Sequence, residues 1–141
     1  MPLIPRGAGT RRAWAALVGL VLTFLVAGCG QSAGSPAVHV RIHHSRFVPA
    51  VLTVAHGAPT TFLLVNDDPI DHEWIVGSDA VHRAHRTGTE PVHDSRATEI
   101  SVPALGSRTT TITFAERGTL AFVCHLPGHE AYGMVGTLNV R

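Results

Sequence analysis

Lysine is absent from this 141-residue chain, and cysteine occurs only at Cys29 and Cys124. From Cys29 onward eight arginines stand against ten Asp and Glu, a formal balance of −2. A mildly acidic segment without a basic patch has no electrostatic footprint for nucleic acid. No stretch offers a long amphipathic helix either, so an all-helical architecture is excluded.

The first 28 residues differ from the rest. Arg6, Arg11 and Arg12 precede an uncharged run of about 16 residues, Ala13 to Gly28, shorter than the roughly 20 needed to span a bilayer. That is the layout of an export signal. Its end, Val26-Ala27-Gly28-Cys29, resembles the bacterial lipobox. The resemblance implies cleavage before Cys29, lipidation of its thiol and anchoring at the extracytoplasmic face of the cell membrane, since two or three acyl chains hold a protein stably. An uncleaved signal anchor with an incidental cysteine is the plainer alternative. Thr10-Arg11-Arg12 leaves both the general and the twin-arginine export routes open. Residues 29–37, rich in Ser, Gly, Ala and Pro, read as a flexible tether, and residues 38–141 as one folded domain.

With Cys29 assigned to lipid, Cys124 has no disulfide partner within the domain. An exported lone thiol survives when it is buried or bound to metal. All ten histidines also lie after Cys29, and imidazole is the commonest metal ligand.

Segments rich in β-branched residues recur between turn signals. They are Val38–Ile42, Val51–Val54, Thr60–Val65, Glu73–Val76, Glu99–Val102, Thr109–Phe114, Leu120–Cys124 and Val135–Val140. Alternation such as Thr111-Ile112-Thr113-Phe114 is that of a half-buried strand. Seven to eight short strands predict a Greek-key β-sandwich. Residues 78–97 depart from the pattern, as a long polar segment with one helical turn around Ala80 to Arg86.

The chemistry concentrates in Cys124-His125-Leu126-Pro127-Gly128-His129-Glu130-Ala131-Tyr132-Gly133-Met134, between two predicted strands. Thiolate, imidazole and thioether follow at intervals of five, and Pro127-Gly128 supplies a turn that folds His129 back toward the sulfur. Soft sulfur donors suit Cu(I), while imidazole suits both copper states. His72, at the start of a strand just after Asn66-Asp67-Asp68-Pro69, is the candidate second imidazole.

These residues, with Phe47-Val48-Pro49, Leu52-Thr53-Val54, Gly57, Asn66, His72-Glu73-Trp74 and Gly133-Met134-Val135-Gly136-Thr137, resemble the cupredoxins, the family of plastocyanin, azurin and auracyanin. The resemblance covers roughly Val38 to Arg141. It implies one copper ion held by His72, Cys124, His129 and Met134, and electron transfer to redox protein partners without catalysis. It also implies an apolar docking patch around His129, here Leu126, Pro127, Ala131 and Tyr132. A monomer is expected, though nothing in the residues fixes the oligomeric state. Many relatives carry Asn directly after the upstream histidine, where it braces the site, and Glu73 stands there in this chain.

Other readings are weaker. Zinc favours sites built from Cys and His and is poorly served by a thioether. A trinuclear oxidase cluster needs His-x-His pairs, which are lacking, and a two-copper centre needs a second cysteine where Gly128 stands. A cysteine-histidine hydrolase would leave Met134 unused. His82, His85 and His93 could form an auxiliary metal site, against the plainer reading of solvated loop histidines. His39, His43, His44 and His56 read as solvent-facing. Asp67, Asp68 and Asp71 read as turn residues before steering charges, and Phe47, Trp74, Phe114 and Phe122 as core. The rival to electron transfer is extracytoplasmic copper storage or delivery.

Overall fold

The computed structural model describes residues 36–88 and 96–141. The leader, Cys29 and His93 lie outside the described residues. Among these, nine strands and one helix follow in chain order: β1 (Val38–Ile42), β2 (Phe47–Val48), β3 (Val51–Val54), β4 (Pro59–Asn66), β5 (His72–Gly77), α1 (Asp79–Arg86), β6 (Glu99–Val102), β7 (Ser107–Thr113), β8 (Gly118–Val123) and β9 (Val135–Val140).

The strands form two mixed sheets, ordered β2-β1-β4-β7 and β3-β9-β8-β5-β6. The chain passes back and forth between the sheets, so β1 pairs β4 and β3 pairs β9 in parallel while the other neighbours are antiparallel. This is the Greek-key β-sandwich expected from the alternating pattern.

Alternation places Val40 and Ile42 of β1, Leu52 and Val54 of β3, and Phe62 and Leu64 of β4 inside, with exposed or half-buried neighbours between them. Between the sheets Phe62 packs on Trp74 with ring centroids 4.9 Å apart, and Phe47 meets the edge of Phe122 at 5.2 Å. Each such ring removes about 150–250 Å² from water and dominates the core.

Two features exceed the sequence expectation. The ninth strand, β2, is only two residues long, pairing Ile42 with Phe47 and Arg41 with Val48, too short for a periodic signal. The turn before it holds His44 and Ser45 both at φ 51, a left-handed geometry that non-glycine residues adopt only when held. Second, the single helical turn expected near Ala80 is an eight-residue helix, with Asp79 in its first turn and Arg83, His85 and Arg86 in its last, matching the helix dipole. Helix α1 packs on β5. Gly77 permits this, because a Cβ there would sit 2.7 Å from Val81 Cβ. Between β6, β8 and the helix, β5 is buried from His72 to Val76 and reads as a continuous rather than alternating strand.

Candidate metal centre

Two segments far apart in the sequence build the centre. The first is the loop from β4 to β5. Asn66, buried at the end of β4, donates its amide to the carbonyls of Ile70 at 2.8 Å and Pro103 at 3.0 Å, and its Oδ1 accepts from Asp68 N at 3.0 Å. The loop is thereby folded onto itself, and His72 begins β5 fully buried.

The second segment is the hairpin from β8 to β9. Cys124 N donates to Met134 O at 3.1 Å, Met134 N to His129 O at 3.0 Å, and His129 N to Leu126 O at 3.0 Å. Gly128, at φ 87, takes the left-handed conformation that turns His129 back toward Cys124. The expected folding-back of this loop is observed.

Together the segments bring His72, Cys124 and His129 to one point. One donor atom from each lies within 4.8 Å of the others. His72 Nδ1 faces His129 Nδ1 at 3.2 Å, and Cys124 Sγ is 3.3 Å from His129 Nδ1. Met134 is fully buried at the return end of the same hairpin.

The donor chemistry fits copper. His72 Nε2 lies 3.0 Å from Asp68 Oδ2, so Nε2 carries the ring proton and Nδ1 presents its lone pair inward. A neutral imidazole directed this way, a second one opposite and a thiolate beside them are the His₂Cys set that suits copper, with a thioether as weak fourth donor. Burial holds His72 below the ordinary imidazole range against the opposing pull of Asp68. Burial likewise pushes the Cys124 thiol up, opposed by the N–H groups of Glu73 and Leu126. A bound metal ion reverses that preference, since it deprotonates a coordinating thiol.

Residues 36–141 match the copper-binding proteins of the plastocyanin/azurin family. The chain belongs to that family. As a cupredoxin it takes copper as its cofactor. It is 33% identical over 99 residues to the copper-resistant cuproprotein CopI of Rubrivivax gelatinosus, an alignment covering 68% of this chain and 60% of that protein. The chain thus spans less than two thirds of that relative's length. To the copper-resistant cuproprotein CopI of Pseudomonas aeruginosa it is 26% identical over 153 residues, covering 79% of this chain and 84% of the relative. The solved structure of auracyanin B superposes with a TM-score of 0.62 at 25% identity, over 74% of this cupredoxin and 88% of that chain.

Around the centre the sequence reading needs amending in three places. Asp68 is neither a plain turn residue nor a steering charge, because its carboxylate accepts from His72 and from the backbone N–H groups of His44 and Ser45, both at 2.7 Å. Burial alone would raise this carboxyl, but the two backbone donors and His72 bring it below its ordinary value. Its four-residue offset from His72 was the one available signal. Asp67 pairs with Arg41, and Asp71 accepts from Ala104 N at 2.8 Å.

With Glu at position 73, a brace on the thiol is still supplied from there by the backbone. Glu73 donates its backbone N–H to Cys124 Sγ at 3.3 Å, which any residue but proline could do.

His82 and His85 are buried rather than solvated, and the residue they meet is His125. Burial pushes His125 down to about 4. Glu130, held low by Arg86, forms a forked ion pair with it at 2.9 and 2.5 Å, tying α1 to the ligand hairpin. On the hairpin's outer side Pro127, Ala131 and Tyr132 are exposed, while Leu126 and His129 are half-buried. His39, His44 and His56 face solvent as expected, and His43 is half-buried.

Proposed function

We propose that this cupredoxin is an electron-transfer protein with one mononuclear type 1 copper centre, carried by His72, Cys124, His129 and Met134 and tethered outside the cell membrane through lipidated Cys29. The observation that carries this reading is the burial of the donors: His72, Cys124 and Met134 are 0% exposed, and only His129 reaches partial exposure. A site closed on three sides and hydrogen-bonded to the frame resists rearrangement between oxidation states. Copper bound there supplies a one-electron couple, Cu(II)/Cu(I). The protein's part is to orient His72 through Asp68, to hold the sulfur with the Glu73 N–H and to keep water out. Electrons enter or leave at the half-buried His129, beside the apolar Leu126, Pro127, Ala131 and Tyr132, where a redox protein docks briefly over a small interface. The protein works as a monomer and catalyses no reaction of its own.

A second reading, extracytoplasmic copper storage or delivery, draws on the two relatives named as copper-resistant cuproproteins. The burial of the donors weighs against delivery, which needs ligands that a recipient can reach.

Fast, reversible voltammetry and rapid electron exchange with a soluble redox protein are expected from the copper-loaded protein. Slow or irreversible cycling, with copper passing to an acceptor protein instead, would establish the second reading. An intense thiolate-to-copper absorption should appear with Cu(II) and vanish in Cys124→Ser, whereas Cys29→Ser should change membrane partitioning alone.

A further inference from the structure

Helix α1 lies on the outer face of the sheet that carries the copper donors. Side chains alternate along β5, so Glu73, Ile75 and Gly77 share one face and His72, Trp74 and Val76 the other. A Cβ on Gly77 would meet Val81 of α1, which places the helix on the Ile75 side. Val123 pairs with Ile75 across β5 and β8, and both are buried outside the cluster that fills the space between the sheets. Cys124 belongs to that inner cluster, whereas His125, next in sequence, meets the helix.

Two ties run from α1 to the copper hairpin. The first goes through His82, which is 2% exposed. Its Nε2 lies 3.3 Å from Ala121 O, an acceptor only, so Nε2 carries the ring proton and donates it. Its Nδ1 then accepts from His125 Nε2 at 3.0 Å. His82 thereby bridges Ala121 and His125, residues on either side of Cys124 in the chain. His85, from the same helix, stacks on the His125 ring with centroids 5.3 Å apart. The second tie is the fork from Arg86 to Glu130, Nε to Oε2 at 2.9 Å and Nη2 to Oε1 at 2.5 Å. Glu130 directly follows His129, and its carbonyl accepts from Gly133 N, beside Met134, at 2.8 Å.

We propose that α1 positions the copper hairpin, with His82 acting on Cys124 through His125 and Arg86 acting on His129 through Glu130. The inference rests on the copper reading of the hairpin, and not on whether the ion is carried for its electron. Residues 124–134 lie between β8 and β9 and belong to neither strand, so the hydrogen bonds of the sheet do not hold them. The helix anchors them from outside. The Arg86 side chain is 50% exposed, where an ion pair adds little to folding, so its effect falls on the hairpin rather than on overall stability.

The test begins with the metal-free protein. In Arg86→Met, amide hydrogen exchange at Cys124, His129 and Met134 should accelerate by up to about 5-fold, while amides of β4 and β7 keep the parent rates. Glu130→Gln added to Arg86→Met should bring no further acceleration, because the two residues act as a pair. Loaded with Cu(II), Arg86→Met should show a shifted thiolate-to-copper absorption and an altered copper hyperfine splitting, both of which report the copper–sulfur geometry. Arg86→Lys, which keeps the charge without the fork, should fall between the parent and Arg86→Met. For His82, nitrogen NMR of the unaltered protein should detect a coupling across the N–H···N bond to His125, and His82→Leu should shift the same absorption.

Equal acceleration throughout the strands would reduce the ion pair to a general stabiliser and overturn the proposal. Unchanged exchange and absorption in Arg86→Met would do so as well, since the hairpin then holds its own shape. Absence of the nitrogen coupling overturns the His82 half, whether or not His82→Leu folds. Faster local exchange in a protein that never develops thiolate-to-copper absorption would overturn the copper reading itself, and with it the assignment of these residues to a copper centre.

Discussion

The Asp68 carboxylate stands 3.0 Å from His72 Nε2 and is itself held by the backbone of His44 and Ser45. One side chain therefore fixes both the left-handed turn before β2 and the ring orientation of a copper-site histidine. Three donors converge on its two oxygens, and an amide offers only one acceptor oxygen.

Asp68→Asn should accordingly weaken copper binding by about 10- to 100-fold. It should raise the reduction potential, because a negative charge next to His72 favours Cu(II). The metal-free protein should lose about 1–3 kcal/mol, the cost of a buried donor without its acceptor. Chelator competition, voltammetry and urea denaturation read the three effects. Unchanged affinity and potential would reduce Asp68 to a turn brace.

Met134→Leu conserves volume at a fully buried position and should cost less than about 1.5 kcal/mol. Removal of the thioether favours the state with fewer donors, Cu(I). The thiolate-to-copper absorption should therefore persist while the potential rises. A variant that keeps its potential would remove Met134 from the copper's coordination.

Gly136 lies in β9 against the Phe122 ring, and a Cβ there would fall 2.1 Å from Phe122 Cε2 and 2.8 Å from Ala50 O. Gly136→Ala must displace either a core aromatic or the backbone, with a cost of about 1–3 kcal/mol or more. Thermal unfolding of the metal-free protein measures it. A stability within about 0.5 kcal/mol of the parent would mean that Phe122 moves freely.

Acid should destabilise the metal-free protein before its carboxylates titrate. Burial lowers His72, His82 and His125, the last to about 4. Below the ordinary imidazole value of 6.5 the unfolded chain binds protons that the folded one refuses. Stability is thus complete above about pH 6.5 and declines as pH falls toward 4, by about 3 kcal/mol for His125 alone. Glu130 and Arg86 face this cluster with opposite signs and are paired to each other, so the loss comes from burial. Denaturation midpoints measured between pH 7 and 4.5 should fall continuously, and a flat profile would contradict buried neutral imidazoles.

The copper hairpin could be read from the chain because its logic is local. Cys124, Gly128, His129 and Met134 lie within eleven consecutive residues, and their spacing and turn chemistry alone curl the imidazole toward the sulfur. The sandwich was legible for a similar reason, since alternation along β1, β3, β4 and β7 reports which face of each strand is buried. What tertiary structure alone decided joins residues without a shared period. Asp68 reaches across 24 positions to His44, the backbone of Glu73 meets Cys124, and α1 delivers His82 and His85 to His125. In the sequence those histidines sit in a polar stretch that resembles a solvated loop. They are buried because a helix laid on β5 turns one side inward, and only the folded sheet provides the surface that covers it.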